Sequence, residues 1–188
     1  MIFTDVFLKI ILIAKKIVEL TQFKGEIEMF TRVLLKARDN GNTIFVMGNG
    51  GSAATASHYV CDFNKGMSYG RDKRFKMICL NDNVQTMMAY ANDVDYQSVF
   101  VEQLKNFLRR DDVVIGISGS GNSGNVTKAI EYANQNGGIT CGLTGYDGGL
   151  LRRIAHYSVN VRIHDMQISE DIHMMLAHVI YRIVNDSN

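Results

Sequence analysis

Two glycine–serine stretches and two groups of ionisable residues carry the chemistry available to this chain. The first stretch, Gly48-Asn49-Gly50-Gly51-Ser52, follows the apolar run Thr43–Met47 and opens into residues with helical spacing. The second, Ser118-Gly119-Ser120-Gly121-Asn122-Ser123, follows Asp112–Ile117 in the same way. A strand that breaks into a glycine turn and restarts as a helix leaves backbone N–H groups unpaired at the positive end of the helix dipole, a seat for a phosphate. Ser118, Ser120 and Ser123 add three hydroxyls, Thr127 lies one turn further on, and Gly119 and Gly121 remove side chains that would block backbone approach. Neither stretch has the Gly-Lys-Ser/Thr ending of a P-loop. Gly48, Gly50 and Ala53 fit a degenerate dinucleotide pattern, but helices precede the first strand and no acidic residue clearly closes the second, so a nicotinamide enzyme is a minor alternative.

His58 and Asp62, four apart on the helix leaving the first stretch, share a face. Glu170, His173 and His178 lie on the final helix, with Ser169 as the expected N-cap and Glu170 and Asp171 against the positive end of the dipole. By residue type alone, His173 reads as a capping or surface residue, and Asp171 as cap electrostatics.

These residues must be positioned by regular elements, and the hydrophobic pattern supplies them. Ile2, Phe3, Val6, Phe7, Ile10, Ile13, Ile17 and Leu20 predict a first helix, and Leu8, Ile11 and Leu12 widen its apolar stripe until most sides need cover. That points to packing against other subunits. A second helix is expected from Gly25 to Asp39, stopped at Asn40-Gly41. Strands follow at Thr43–Met47, Phe75–Leu80, Val113–Ile117, Ile139–Leu143 and Tyr157–Ile163. Between them lie helices Ser52–Phe63, Asn83–Tyr90, Tyr96–Phe107 and Asn125–Asn136, a short one after Thr144–Gly149, and a last one from Ser169 to Asn185. Continuous apolar strands separated by helices predict an α/β fold: a three-layer αβα sandwich on a five-stranded parallel sheet. The expectation is one domain, 1–188, with a helical pair at 1–40 for oligomerisation and an α/β core at 41–188. Ligands in such sheets sit beyond the carboxyl ends of the strands, where both glycine–serine loops and Thr144–Gly149 fall.

A formal charge of +1 gives no reason to expect nucleic acid or an anionic membrane as partner. The N-terminal segment's longest unbroken apolar run, Ile10–Ala14, is far short of the roughly 20 residues a membrane span needs. No signal-peptide pattern precedes it, so a cytoplasmic protein is expected. Cys79 and Cys141, inside apolar runs, read as buried reduced thiols, and Lys65, Arg71, Lys73, Arg74 and Lys76 as a solvated basic surface.

Gly48–Ala54 followed by His58, then Ala91-Asn92-Asp93, Gly116–Ser123 and Leu143–Gly149, resemble the sugar isomerase (SIS) domain family. Within it they are similar to the phosphoheptose (sedoheptulose-7-phosphate) isomerase branch. The likeness runs from about Gly41 to the C-terminus. It implies a homotetramer around a helical bundle, with active sites at subunit interfaces. It also implies a phosphate held by the Ser118–Ser123 loop, with Asn49, Gly50, Gly51, Ser52, Asp93 and Glu170 facing the sugar. Asp62 and His178 would be acid and base, and His58, Asp62, Glu170 and His178 would hold a zinc ion or form a polar cluster without metal. The chain departs from the family pattern at Asp62 (usually Glu), Glu170 (usually Gln), Gly119 (often Thr) and Gln167 (Asp). An expected arginine is missing near Lys65-Gly66. The function implied is ketose–aldose isomerisation of a sugar phosphate, sedoheptulose 7-phosphate first. The alternative is a non-catalytic protein of the same fold, binding phosphosugar or associating with a replication initiator. On this reading the first loop walls the sugar and launches the His58–Asp62 helix without holding the anion.

Overall fold

The computed structural model describes residues 23–186, so the expected first helix at 2–20 lies outside the described residues. Helix α1 (Lys24–Asn40) turns Ile27, Phe30, Val33, Leu34 and Ala37 inward and stops where Gly41 enters the left-handed region at φ 73°. Strand β1 (Thr43–Gly48) leads into α2 (Gly51–Cys61), which widens into a π turn over Asp62–Gly66. Then follow β2 (Lys76–Cys79), α3 (Val84–Asp93), a 3-10 turn at Tyr96–Ser98 and α4 (Val101–Phe107). The chain continues through β3 (Val113–Ser118), α5 (Gly124–Gln135), β4 (Ile139–Gly145), α6 (Gly149–Ile154), β5 (Tyr157–Val161) and α7 (Met166–Asp186).

All five strands are parallel, in the order β2-β1-β3-β4-β5. The register pairs Gly48 with Ile117 and Ser118 with Thr144, so the loops after β1, β3 and β4 leave the sheet side by side. One face is covered by α1, α2 and α7 through Phe30, Leu34, Tyr59, Ile172 and Leu176. The other carries α4, α5 and α6 through Leu104, Val126, Ile130 and Leu151. This is the expected three-layer sandwich.

Local boundaries differ where tertiary contacts overrule the pattern. The helix expected over Tyr96–Phe107 is broken into a 3-10 turn and α4, and Ser98 in the turn accepts from Lys128 Nζ of α5 at 2.9 Å. Ser169 is not the N-cap of α7. Asp165 takes that role, its Oδ1 accepting from Ile168 N at 3.1 Å, while Ser169 Oγ sits inside the first turn and donates back to the Asp165 carbonyl at 2.7 Å. Asn83 caps α3, its Oδ1 accepting from Thr86 N. Cys79 and Cys141 are buried as expected, and burial pushes the Cys79 thiol up to about 12. The basic stretch is solvated as expected: Lys65, Lys73, Arg74 and Lys76 are exposed, while Arg71, half-buried, donates to Asn185 Oδ1 at 2.7 Å.

His173 is neither a cap nor a surface residue. It is fully buried, and no partner meets either ring nitrogen with hydrogen-bonding geometry among the described residues. Burial pushes it from 6.5 to about 4, offset only in part by the nearby Thr144 backbone. The unfolded chain therefore binds this proton below pH 6.5 while the folded chain stays neutral down to about pH 4. Stability should fall as pH drops through that window, by about 3 kcal/mol from this group, and no further below it. Urea midpoints measured from pH 7 to pH 4 check this; His173→Leu should lose that share of the pH dependence.

Candidate functional site

The first loop is clamped at its root. Asn81, just past β2, donates to the Gly48 carbonyl at 2.8 Å and accepts from Gly48 N at 3.2 Å. Gly50 then takes φ 53° and ψ −120°, a conformation open to glycine, and α2 begins at Gly51 with Ser52 buried behind it. The Glu170 carboxylate lies against Gly51: a Cβ there would stand 2.8 Å from Glu170 Cδ. The N-terminus of α2 thus already has an anion beside it, and a phosphate placed there would meet a like charge.

Among the described residues, the glycines of the second loop lie against Met166 and Gly148 and not against a carboxylate. Ser118 Oγ, at the buried end of β3, lies 3.0 Å from Ser123 Oγ and accepts from Gly121 N at 3.1 Å. Ser120 Oγ accepts from Asn122 N at 3.2 Å. Ser123 precedes α5 without making a side-chain cap, and its hydroxyl meets Ser118 Oγ instead. The loop rests backbone-to-backbone on the end of β4 and on α6: Gly145 N donates to Gly119 O at 2.8 Å, and Leu151 N to Gly121 O at 2.8 Å. Beside Gly119, the Met166 sulfur fills the space that a side chain at that position would need.

Two turns along α2, an ionisable cluster forms against α7. His58 Nε2 lies 2.9 Å from His178 Nε2 and 3.2 Å from Asp62 Oδ2, and His178 Nε2 lies 3.7 Å from the same oxygen. The two imidazoles meet edge to face. What brings the helices together is a buried seam in which Tyr59 OH donates to the His173 carbonyl at 3.2 Å. The π turn starts at Asp62 itself, its carbonyl accepting from Met67 N at 2.9 Å. Beyond the cluster opens a cavity of about 590 Å³ lined by Asp62, Lys65, Gly66, His178, Tyr181 and Arg182. Its Gly66 leaves room for the Tyr181 ring.

These three donor atoms could hold a metal ion; all lie within 4.8 Å of one another. Glu170, expected as a fourth ligand, is not among them. Eight residues before His178 on one helix, it stands about 12 Å up the axis, beside the first loop. Asp93 is also apart: it ends α3, exposed, with its carboxylate held by Asn92 Nδ2 at 2.7 Å. Residue-type reasoning missed Asn81, Asn125, Tyr96 and Tyr59, which hold the loops and helices in place. Asn125 and Tyr96 enter the sequence reading only as the openings of helices.

The SIS-domain description matches residues 10–145. The chain belongs to the SIS-domain family. Among curated relatives, the SIS domain here is 33% identical to a probable phosphoheptose isomerase of Thermoplasma volcanium, over 86% of this chain and 82% of that one. It is 32% identical to a phosphoheptose isomerase of Clostridium acetobutylicum, over 90% and 86%. In structure it matches a phosphoheptose isomerase from Neisseria gonorrhoeae with a TM-score of 0.91 and 25% identity, covering 99% of this chain and 100% of that one. It therefore falls in the phosphoheptose-isomerase-like branch of the SIS family.

The packing of this SIS domain's second loop generates a test. Gly121 sits at φ 67°, and a Cβ on it would strike the Gly148 carbonyl. Gly121→Ala should cost about 2 kcal/mol or more of stability, read as a lowered urea midpoint, and weaken inorganic phosphate binding measured by calorimetry.

Proposed function

We propose that this protein is a ketose–aldose isomerase of a sugar phosphate, converting sedoheptulose 7-phosphate to an aldose heptose 7-phosphate in the cytoplasm. The observation that carries the proposal is the pairing of a hydroxyl-lined loop at Ser118–Ser123 with the His58–Asp62–His178 cluster on the adjoining α2–α7 seam. Seven residues of helix, about 10 Å, separate Gly51, on the loop that walls the sugar, from His58. The phosphate sits on Ser118, Ser120 and Ser123, and Asn49 and Ser52 wall the chain of hydroxyls.

Isomerisation removes a proton from the carbon next to the carbonyl and returns one to the neighbouring carbon through an enediol. Asp62 and His178 fill the acid and base roles, with His58 orienting the pair. The cluster suits zinc: a tetrahedral ion holds its donors roughly 3.4 Å apart, and the separations of 2.9, 3.2 and 3.7 Å bracket that value. Such an ion, when bound, polarises the substrate's carbonyl oxygens. Asp62 and His178 fill those roles in the metal-free cluster; with an ion held by both Nε2 atoms, the second carboxylate oxygen of Asp62 would move the proton instead. Glu170 stands outside this cluster and closes the first loop against the anion.

Homotetramer assembly belongs to the same proposal. Helix α3 buries none of its residues, and Val84, Met88 and Val94 stand exposed along this edge. Light scattering should report four chains.

Incubation with sedoheptulose 7-phosphate, following the aldose product, tests the function; no turnover of any seven-carbon ketose phosphate, with or without zinc, leaves the non-catalytic reading standing. Asp62→Asn should lower kcat by about 10²-fold or more. Elemental analysis should find one zinc per chain, lost in His58→Ala.

A further inference from the structure

We infer that Asn49 can act on a ligand only as a hydrogen-bond donor, and that buried Asn125, with Tyr96, sets this polarity. The inference rests on the reading of the first loop as the wall that faces the sugar. It begins at a backbone amide. Val126 N donates to Asn125 Oδ1 at 2.9 Å, and because an amide N–H cannot accept, that atom of Asn125 must be its oxygen. Asn49 Nδ2 donates to the same oxygen at 2.8 Å, and Asn125 Nδ2 returns a bond to Asn49 Oδ1 at 2.9 Å. The two carboxamides are therefore locked head to head, with Asn125 only 1% exposed.

Tyr96 completes the arrangement. Its hydroxyl lies 2.9 Å from Asn49 Oδ1, and that oxygen only accepts, so the phenol donates. A carboxamide oxygen has two lone pairs, and Asn125 and Tyr96 fill both. One N–H on Asn49 Nδ2 is what remains for a ligand. The loop cannot swing to change this, because Asn81 holds both backbone groups of Gly48.

Asn49 therefore selects an acceptor: a carbonyl oxygen, a phosphate oxygen, or a hydroxyl presenting its lone pair. Along the hydroxyls of an open-chain ketose phosphate that the first loop walls, Asn49 meets one that presents its lone pair. Asn125 and Tyr96 are positioning residues, acting through Asn49.

Side-chain amide exchange in the free protein reads the polarity directly. Both Asn125 Nδ2 protons should be slow or one markedly so, and Asn49 Nδ2 should show one protected and one fast proton. Two equally fast protons on Asn49 would overturn the inference. Asn125→Leu is close in size and puts no charge beside the phosphate loop, but removes both bonds to Asn49. It should raise KM for the ketose phosphate roughly tenfold, with a smaller change in kcat and unchanged affinity for inorganic phosphate. Tyr96→Phe, at a half-exposed site that threatens folding less, should raise KM by a smaller factor with its melting temperature unmoved. A KM unchanged in both variants, or phosphate affinity falling in step with KM, would overturn it. If the wild type turns over no sugar phosphate while the exchange pattern holds, it is the isomerase reading that fails, and the amide polarity stands.

Discussion

The parallel register of β1 against β3 is the constraint on which the rest depends. With Gly48 opposite Ile117, two loops from distant parts of the chain leave the sheet at the same height, and the Asn49–Asn125 pair can form across them. A parallel sheet imposes this, because every strand delivers its carboxyl end to the same edge. The glycine loops need no contact with each other in sequence to share one site.

Charge then divides the labour between two loops of the same design. Both place a helix N-terminus beyond a strand, and both have a dipole that favours an anion. At α2 the protein supplies its own, the Glu170 carboxylate lying on Gly51. At α5 there are hydroxyls instead, with Ser118 and Ser123 turned towards each other. A second seam, α2 against α7, gathers His58, Asp62 and His178, with Tyr59 as the buried fastening.

Much of this was legible in the residues. The strands of the sheet follow from continuous apolar runs, and the β1 and β3 loops from glycine and serine placed between a strand and a helix. His58 and Asp62 follow from helical spacing, which alone sets them on one face. The Ser169 cap was misplaced by one turn, because Asp165 is equally able to cap and the fold chose it. His173 looked like an exposed or capping residue by type, and only the packing of α7 onto β4 buries it. The family resemblance put Glu170 with His58, Asp62 and His178, whereas the fold sets its carboxylate against Gly51.

By itself, then, the sequence determined the elements, the sheet class and the chemical types at the site, because these depend on local spacing and turn chemistry. Only the tertiary structure decided the partners. That Asn49 meets Asn125 and Tyr96, that His58 meets His178 rather than Glu170, and that Glu170 meets Gly51 are consequences of strand register and helix packing. Those contacts join residues up to 120 apart in the chain, and no local pattern encodes a separation of that length.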